Sequence, residues 1–212
     1  MKFILAALLI LIPFTFGNAQ QYEFDRKCVI QSFRIKPKIG DENNWKRSLY
    51  FNTGTSEYYM LEHNNGSYSI MDNDKSSILD IVVSPATKGI YHTSGTRPVD
   101  YSPRESDIKR TIVQRIDDQH VLVKAFSKMN SKLANLEVTF KLKKSDSPIV
   151  QIRFMDASPQ SHRTIYEALL RGLDSPNYRV EKAEVKYNKG YRFVYDFSSC
   201  EAASIKFHLK EN

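Results

Sequence analysis

Apolar and polar residues alternate with a period of two along most of this chain. The cleanest run is 183–197. Ala183, Val185 and Tyr187 interleave with Lys182, Glu184 and Lys186. After "NKG" (188–190), Tyr191, Phe193, Tyr195 and Phe197 fall on every second position. That period marks antiparallel strands with one apolar face and one wet face. Gly190 stands at the left-handed position of a three-residue hairpin loop.

Other segments repeat the pattern. Leu136, Val138, Phe140 and Leu142 alternate with Glu137, Thr139, Lys141 and Lys143. "SDSP" (145–148) reads as a turn, after which Val150, Ile152 and Phe154 resume the apolar face as a further strand. Ile205, Phe207 and Leu209 alternate near the C-terminus. Earlier strands are predicted at 22–35, 47–52, 57–63, 67–72, 77–83 and 88–92. Between them lie "NTGTS" (52–56), "NNG" (64–66), "NDKS" (73–76) and "SPATKG" (84–89).

Two segments depart from this period. In 102–116, "SPRE" places Ser102 as an N-cap, Pro103 at the first helical position and Glu105 in a capping box, and "RTIVQRI" then turns β-branched. A short helical turn followed by a hairpin is expected. Over 161–173, Ile165, Ala168, Leu169 and Leu173 form a helical stripe that Ser161 would cap and "GLDSP" (172–176) would stop. The fold class is therefore mainly β. Roughly ten antiparallel strands in a meander would curl as a half-barrel, barrel or sandwich, with one late helix at about 161–173.

The N-terminus changes the picture of where the chain works. Met1 and Lys2 precede an apolar run (3–16) and small residues (17–19), the layout of a cleaved signal peptide over 1–19. The run is short for a membrane span, which needs about 18 apolar residues; an uncleaved anchor is the alternative. "DRK" before Cys28 does not fit a lipoprotein signal. Removing residues 1–19 from the 212 leaves one β-rich domain, 20–212, with no linker or repeat. The expected location is the periplasm or the medium, with no membrane integration after cleavage.

Cysteine usage agrees with export. Cys28 and Cys200 are the two cysteines, and an even pair in an oxidising compartment is expected to bridge. Neither belongs to a CxxC motif or a zinc ligand set. The charge, +7 for the whole chain, is scattered, with small clusters at 34–38 and 141–144. Nucleic-acid readers concentrate such charge on one face, so no nucleic-acid partner is expected.

Catalytic chemistry is sparse. His63, His92, His120, His162 and His208 show no metal-ligand spacing, and no metal or cofactor is expected. "DNDKSS" (72–77) begins like a calcium loop, but position six is Ser77 and position twelve is Val83, so a hairpin turn is the better reading. Asp80 lies between apolar neighbours and is read as solvent-facing. No nucleophile elbow, phosphate loop or dinucleotide fingerprint occurs. An enzyme is not expected, and a hydrolase ranks third among the readings.

The stretches "KRSLYFNTGTSEYYML" (46–61) and "YRFVYDFSSCEAASIKFHL" (191–209), with the signal peptide, resemble exported, uncharacterised Bacteroidetes-type proteins. The resemblance implies export across the inner membrane. At fold level, a long meander plus a helix is similar to LolA-like lipoprotein carriers, whose curved sheet cradles acyl chains. No residue carries over from them.

The favoured expectation is a non-enzymatic binder or carrier of a lipid-like or other apolar ligand. Twelve Tyr and twelve Phe supply aromatic walls. The wall is placed at Tyr191, Phe193, Tyr195 and Phe197, with Phe140, Phe154, Val138 and Ile152 as neighbours. The alternative is a structural module with a filled core that meets an envelope protein or polysaccharide, since ordinary packing predicts the same alternation.

Overall fold

The alternation resolves into eleven strands and one helix in a computed structural model that describes residues 20–37, 44–83 and 91–209. The strands are β1 (Gln20–Lys36), β2 (Trp45–Phe51), β3 (Tyr58–Glu62), β4 (Tyr68–Asp72), β5 (Ser77–Val83), β6 (Tyr91–Pro98), β7 (Arg110–Arg115), β8 (His120–Phe126), β9 (Leu136–Lys144), β10 (Tyr178–Tyr187) and β11 (Arg192–Leu209); the helix α1 is Pro159–Arg171. The expected signal peptide and the turn at 84–89 lie outside the described residues.

One antiparallel sheet holds all eleven strands in the order β6-β5-β4-β3-β2-β1-β11-β10-β9-β8-β7, open between β6 and β7. Neighbours in sequence are neighbours in space, as hairpins dictate. The exceptions are β6 and β7, which are consecutive but lie at opposite edges, and β1 against β11, which brings the two ends of the described chain together at the sheet's centre. Cys28 and Cys200 face each other in that ladder and form a disulfide. The "NKG" turn is as expected: Gly190 has φ +87° and donates to the Tyr187 carbonyl at 3.0 Å.

The wet-face expectation fails over the first half of the sheet. Tyr59, Met60 and Leu61 are consecutive and all buried, so β3 is covered on both sides. Tyr59 and Leu61 join a large core with Leu49, Val138, Phe140 and Tyr195. Met60 joins a second core with Tyr22, Phe24, Tyr50, Ile70, Leu79 and Phe207. In β1, Tyr22 and Phe24 serve the second core while Cys28 and Ile30 serve the first, although all four occupy even positions. A register shift between Phe24 and Arg26 separates the two pairs, and such irregularities bend and twist a strand. Within the second core the Tyr22 hydroxyl donates to Asp72 Oδ2 at 2.8 Å. Asp72 also accepts the Lys75 N–H at 2.8 Å, closing the β4–β5 turn.

The helix is capped three residues before the expected position. Ser158 is the N-cap, and its hydroxyl accepts the Ser161 N–H at 3.1 Å. The cause is Pro159, which suits a first helical position and drives the preceding residue extended; Ser158 has ψ 155°. Ser161 is instead buried inside the first turn, and its N–H is the group that the cap satisfies. Ile165, Ala168 and Leu169 are the buried stripe, and the helix packs on β7 and β8. At Gly172 an added Cβ would lie 2.5 Å from Val113 Cγ1. Gly172→Ala is therefore expected to lower stability by about 1–2 kcal/mol through overpacking, read as a reduced urea midpoint at unchanged slope.

Two further expectations need correction. Ser102 caps no helix: a single turn closes from the Asp107 N–H to the Arg104 carbonyl at 3.1 Å, and the β7–β8 hairpin follows. The Ser102 N–H donates to Asp100 Oδ1 at 2.9 Å rather than to Glu105, and Asp107 accepts the Arg104 N–H at 2.6 Å. The expected strand at Val150–Phe154 is not a strand. This segment runs beneath the sheet, where no ladder partner exists, and side chains satisfy its backbone instead. Arg153 N–H donates to the Tyr59 hydroxyl at 3.0 Å and Asp156 N–H to the Tyr187 hydroxyl at 3.1 Å. The Ile149 carbonyl accepts the Tyr166 hydroxyl at 2.7 Å. The parity differs as well: Ile149, Gln151 and Met155 are the buried residues, while Val150, Ile152 and Phe154 are half-buried against the large core.

Candidate functional site

The aromatic row of β11 divides between two environments. Phe197 is 4 % exposed and packs in the large core with Phe140, at 3 %. Val138, fully buried, belongs to the same core. Phe154 is the hub: its ring lies 4.9 Å from Tyr195, 5.4 Å from Phe197 and 6.4 Å from Phe140, in edge-to-face arrangements. Ile152 packs alongside, half-buried. A space of only about 30 Å³ remains among Phe140, Phe154, Phe197 and the helix. That is room for a water or two and too little for a ligand. The concave side of the sheet is filled by α1 and the segment 149–157.

Tyr191, Phe193 and Tyr195 instead line an open cleft of about 860 Å³ at the β10–β11 hairpin end of the sheet. Small-molecule sites commonly enclose about 300–1,000 Å³. Phe193 stacks on Tyr195 with centroids 6.3 Å apart and meets Tyr187 edge-on at 6.0 Å. Trp45 of β2 lies 6.0 Å from Tyr195 and extends the wall across the sheet. Phe154 and Met155 reach the cleft from the crossing segment, and Ser158 and Ser161 from the first turn of α1.

Sequence reading missed Trp45, Tyr187 and Arg34 here. Tyr187 was within reach, since it closes the same turn and donates its N–H to the Tyr191 carbonyl at 2.8 Å. Trp45 and Arg34 carried no local signal; strand pairing brings both to β11.

Polar groups share the lining with the aromatic wall, among them Arg34, Asn135, Asp156, Ser158, Asn188 and Lys189. The Arg34 guanidinium lies over the Tyr191 ring at 4.9 Å and near Phe193 at 6.0 Å. Burial pushes the Tyr187 hydroxyl up to about 12, and burial followed by the neighbouring Tyr187 raises Tyr195 further still. Both phenols are neutral at physiological pH. They act as walls and hydrogen-bonding groups, since neither is poised to exchange a proton near neutrality.

Asp107 is buried beneath Ser158 and Ser161 and accepts both hydroxyls. Those hydrogen bonds, Ser158 first, hold its carboxyl below the usual range. The cluster anchors the loop before β7 to the start of the helix. Asp80 accepts from Ser69 Oγ at 2.9 Å and pairs with Arg97 at 3.2 Å on the exposed side. Among the described residues no three His, Cys, Asp or Glu side chains gather as a metal site, and no helix is long and apolar enough to cross a membrane.

A second cleft of about 250 Å³ lies beside the disulfide, lined by Arg26, Phe51, Asp146, Ile149 and Arg179 among others. It is less than a third of the volume of the first and has only part of one aromatic row. No protein-family model matches the chain, and no curated protein matches its sequence.

Proposed function

We propose that this is an exported, non-enzymatic protein that binds a lipid-like or other apolar ligand in the cleft walled by Trp45, Tyr187, Tyr191, Phe193 and Tyr195. One observation carries the reading: a volume of about 860 Å³ stands open beside a continuous aromatic wall while the rest of the large core is packed. Tyr191 remains 41 % exposed, an apolar cost that a bound chain would relieve. The Cys28–Cys200 bridge supports an oxidising compartment.

Trp45 is the chain's single tryptophan and lines the cleft, so intrinsic fluorescence reports on it directly. Titration with decanol is expected to shift Trp45 emission with saturation. Phe193→Ser is expected to weaken that binding about tenfold, from the apolar surface it removes. Native mass spectrometry of protein isolated from its own host is expected to show a co-purified amphiphile. An unchanged emission together with an unliganded mass would discard the reading.

A second reading is favoured by the filled concave face. With α1 and residues 149–157 occupying the curve of the sheet, the fold also suits a structural module that meets an envelope protein or polysaccharide. Failure of both ligand experiments selects it.

A further inference from the structure

The cleft contains an unbalanced charge. Arg34 and Lys189 line it, and Asp156 is its one carboxylate. Neither cation has a carboxylate within 4 Å among the described residues, although nine other ion pairs form on the surface of the same fold. Arg34 is half-buried, and its Nε is shielded from solvent without a hydrogen-bond partner. Buried donors are normally satisfied; Arg110, Arg153 and Arg192 share an unpartnered Nε, and Arg34 is the one of the four that lines this cleft. The guanidinium is also held in place. It lies over Tyr191 and beside Phe193, which limits its rotamers and keeps a planar fork at the end of the aromatic wall.

We propose that the ligand of this cleft is an anionic amphiphile, with Arg34 receiving its carboxylate or phosphate head while the aromatic row covers its chain. This rests on the apolar-ligand reading above and adds the head group to it. A guanidinium fork matches either oxyanion in two parallel hydrogen bonds. The chain then runs along Phe193 and Tyr195 toward Trp45, whose ring carries the Arg47 guanidinium at 5.0 Å. Lys189, on the neighbouring hairpin turn, adds a second positive charge without fixed geometry.

Three decyl compounds separate the terms: decanoate, decanol and decyltrimethylammonium, each titrated against Trp45 emission of the full mature protein below its micelle concentration. Decanoate is expected to bind at least tenfold more tightly than decanol, about one charge-assisted hydrogen bond's worth, and the ammonium compound more weakly than both. Arg34→Gln is expected to abolish the preference for decanoate. Decyl phosphate in place of decanoate tells a phosphate head from a carboxylate by the larger preference. Equal affinities of wild-type protein for decanoate and decanol would overturn the anionic head and leave the apolar reading standing. No response to any of the three would overturn both. The wild-type comparison needs no variant, so an Arg34→Gln protein that fails to fold does not rescue the proposal.

Discussion

Replacing both Cys28 and Cys200 with alanine is expected to lower the unfolding free energy by about 5 kcal/mol. The bridge spans 172 positions, and in the loop-entropy model a closure of that size restricts the unfolded chain strongly. The native cost is small, because the two residues already face each other across β1 and β11. Ladder hydrogen bonds hold that pair with or without the sulfur. The loss should therefore come from the unfolded state and leave the native sheet unchanged. For a domain of this length it corresponds to a melting point lower by about 10–20 °C. Thermal and urea denaturation of the double variant, against the oxidised parent, measures it. A loss below about 1 kcal/mol would mean that the unfolded chain keeps its two ends together without the bridge.

Acid is expected to destabilise the protein through His162, well before the carboxylates matter. His162 is 4 % exposed on the inner side of α1 and donates from Nε2 to the Met155 carbonyl at 3.0 Å. Burial keeps its ring neutral and lowers its pKa to about 4. In the unfolded chain the same ring takes a proton near pH 6.5. Between those values the unfolded state binds a proton that the folded state refuses, so stability falls as pH falls from about 6.5 to about 4. Above pH 6.5 the contribution is complete and flat. Across the window the loss is about 3 kcal/mol, at a slope of about 1.4 kcal/mol per pH unit. His63, also lowered by burial, acts in the same direction. His162→Gln keeps a donor for Met155 and removes the titration. Urea midpoints measured every half unit from pH 7 to 4 should therefore show a flatter profile in the variant. An identical profile in both proteins would assign the acid sensitivity elsewhere.

The same residue shows why part of the interior was illegible beforehand. His162 lies in "SPQSHRTIYEALL", where polar neighbours on both sides suggest a surface imidazole. It is buried because Pro159 starts the helix early and turns His162 onto the stripe of Ile165 and Leu169. The segment 150–154 misled for a related reason. Alternation records that one side of a segment meets the core, and a strand is only one way to do that. Beneath the sheet, tyrosine hydroxyls and a histidine take the hydrogen bonds that a neighbouring strand would supply.

The cleft divides in the same way. Tyr191, Phe193 and Tyr195 were readable as one row because they share a strand face. That Phe197 leaves the row for the core depends on Phe154 arriving from below at 5.4 Å. Trp45 and Arg34 join the row only through the pairing of β1 with β2 and β11. No local pattern announces such a pairing, because the two partners lie about 160 residues apart.

By itself the sequence determined the local elements: period two for the strands, Gly190 for the tight turn, the stripe of Ile165, Ala168 and Leu169 with its stop at Gly172 for the helix, and an even cysteine pair. These follow from dihedral preferences and face-by-face burial, which act over a few residues. Only the tertiary structure decided that β3 is buried on both sides, that the curve of the sheet is filled, and that a cleft with an unpaired arginine remains at its end. Those outcomes depend on which distant surfaces meet, and a strand's own alternation is the same whichever partner covers it.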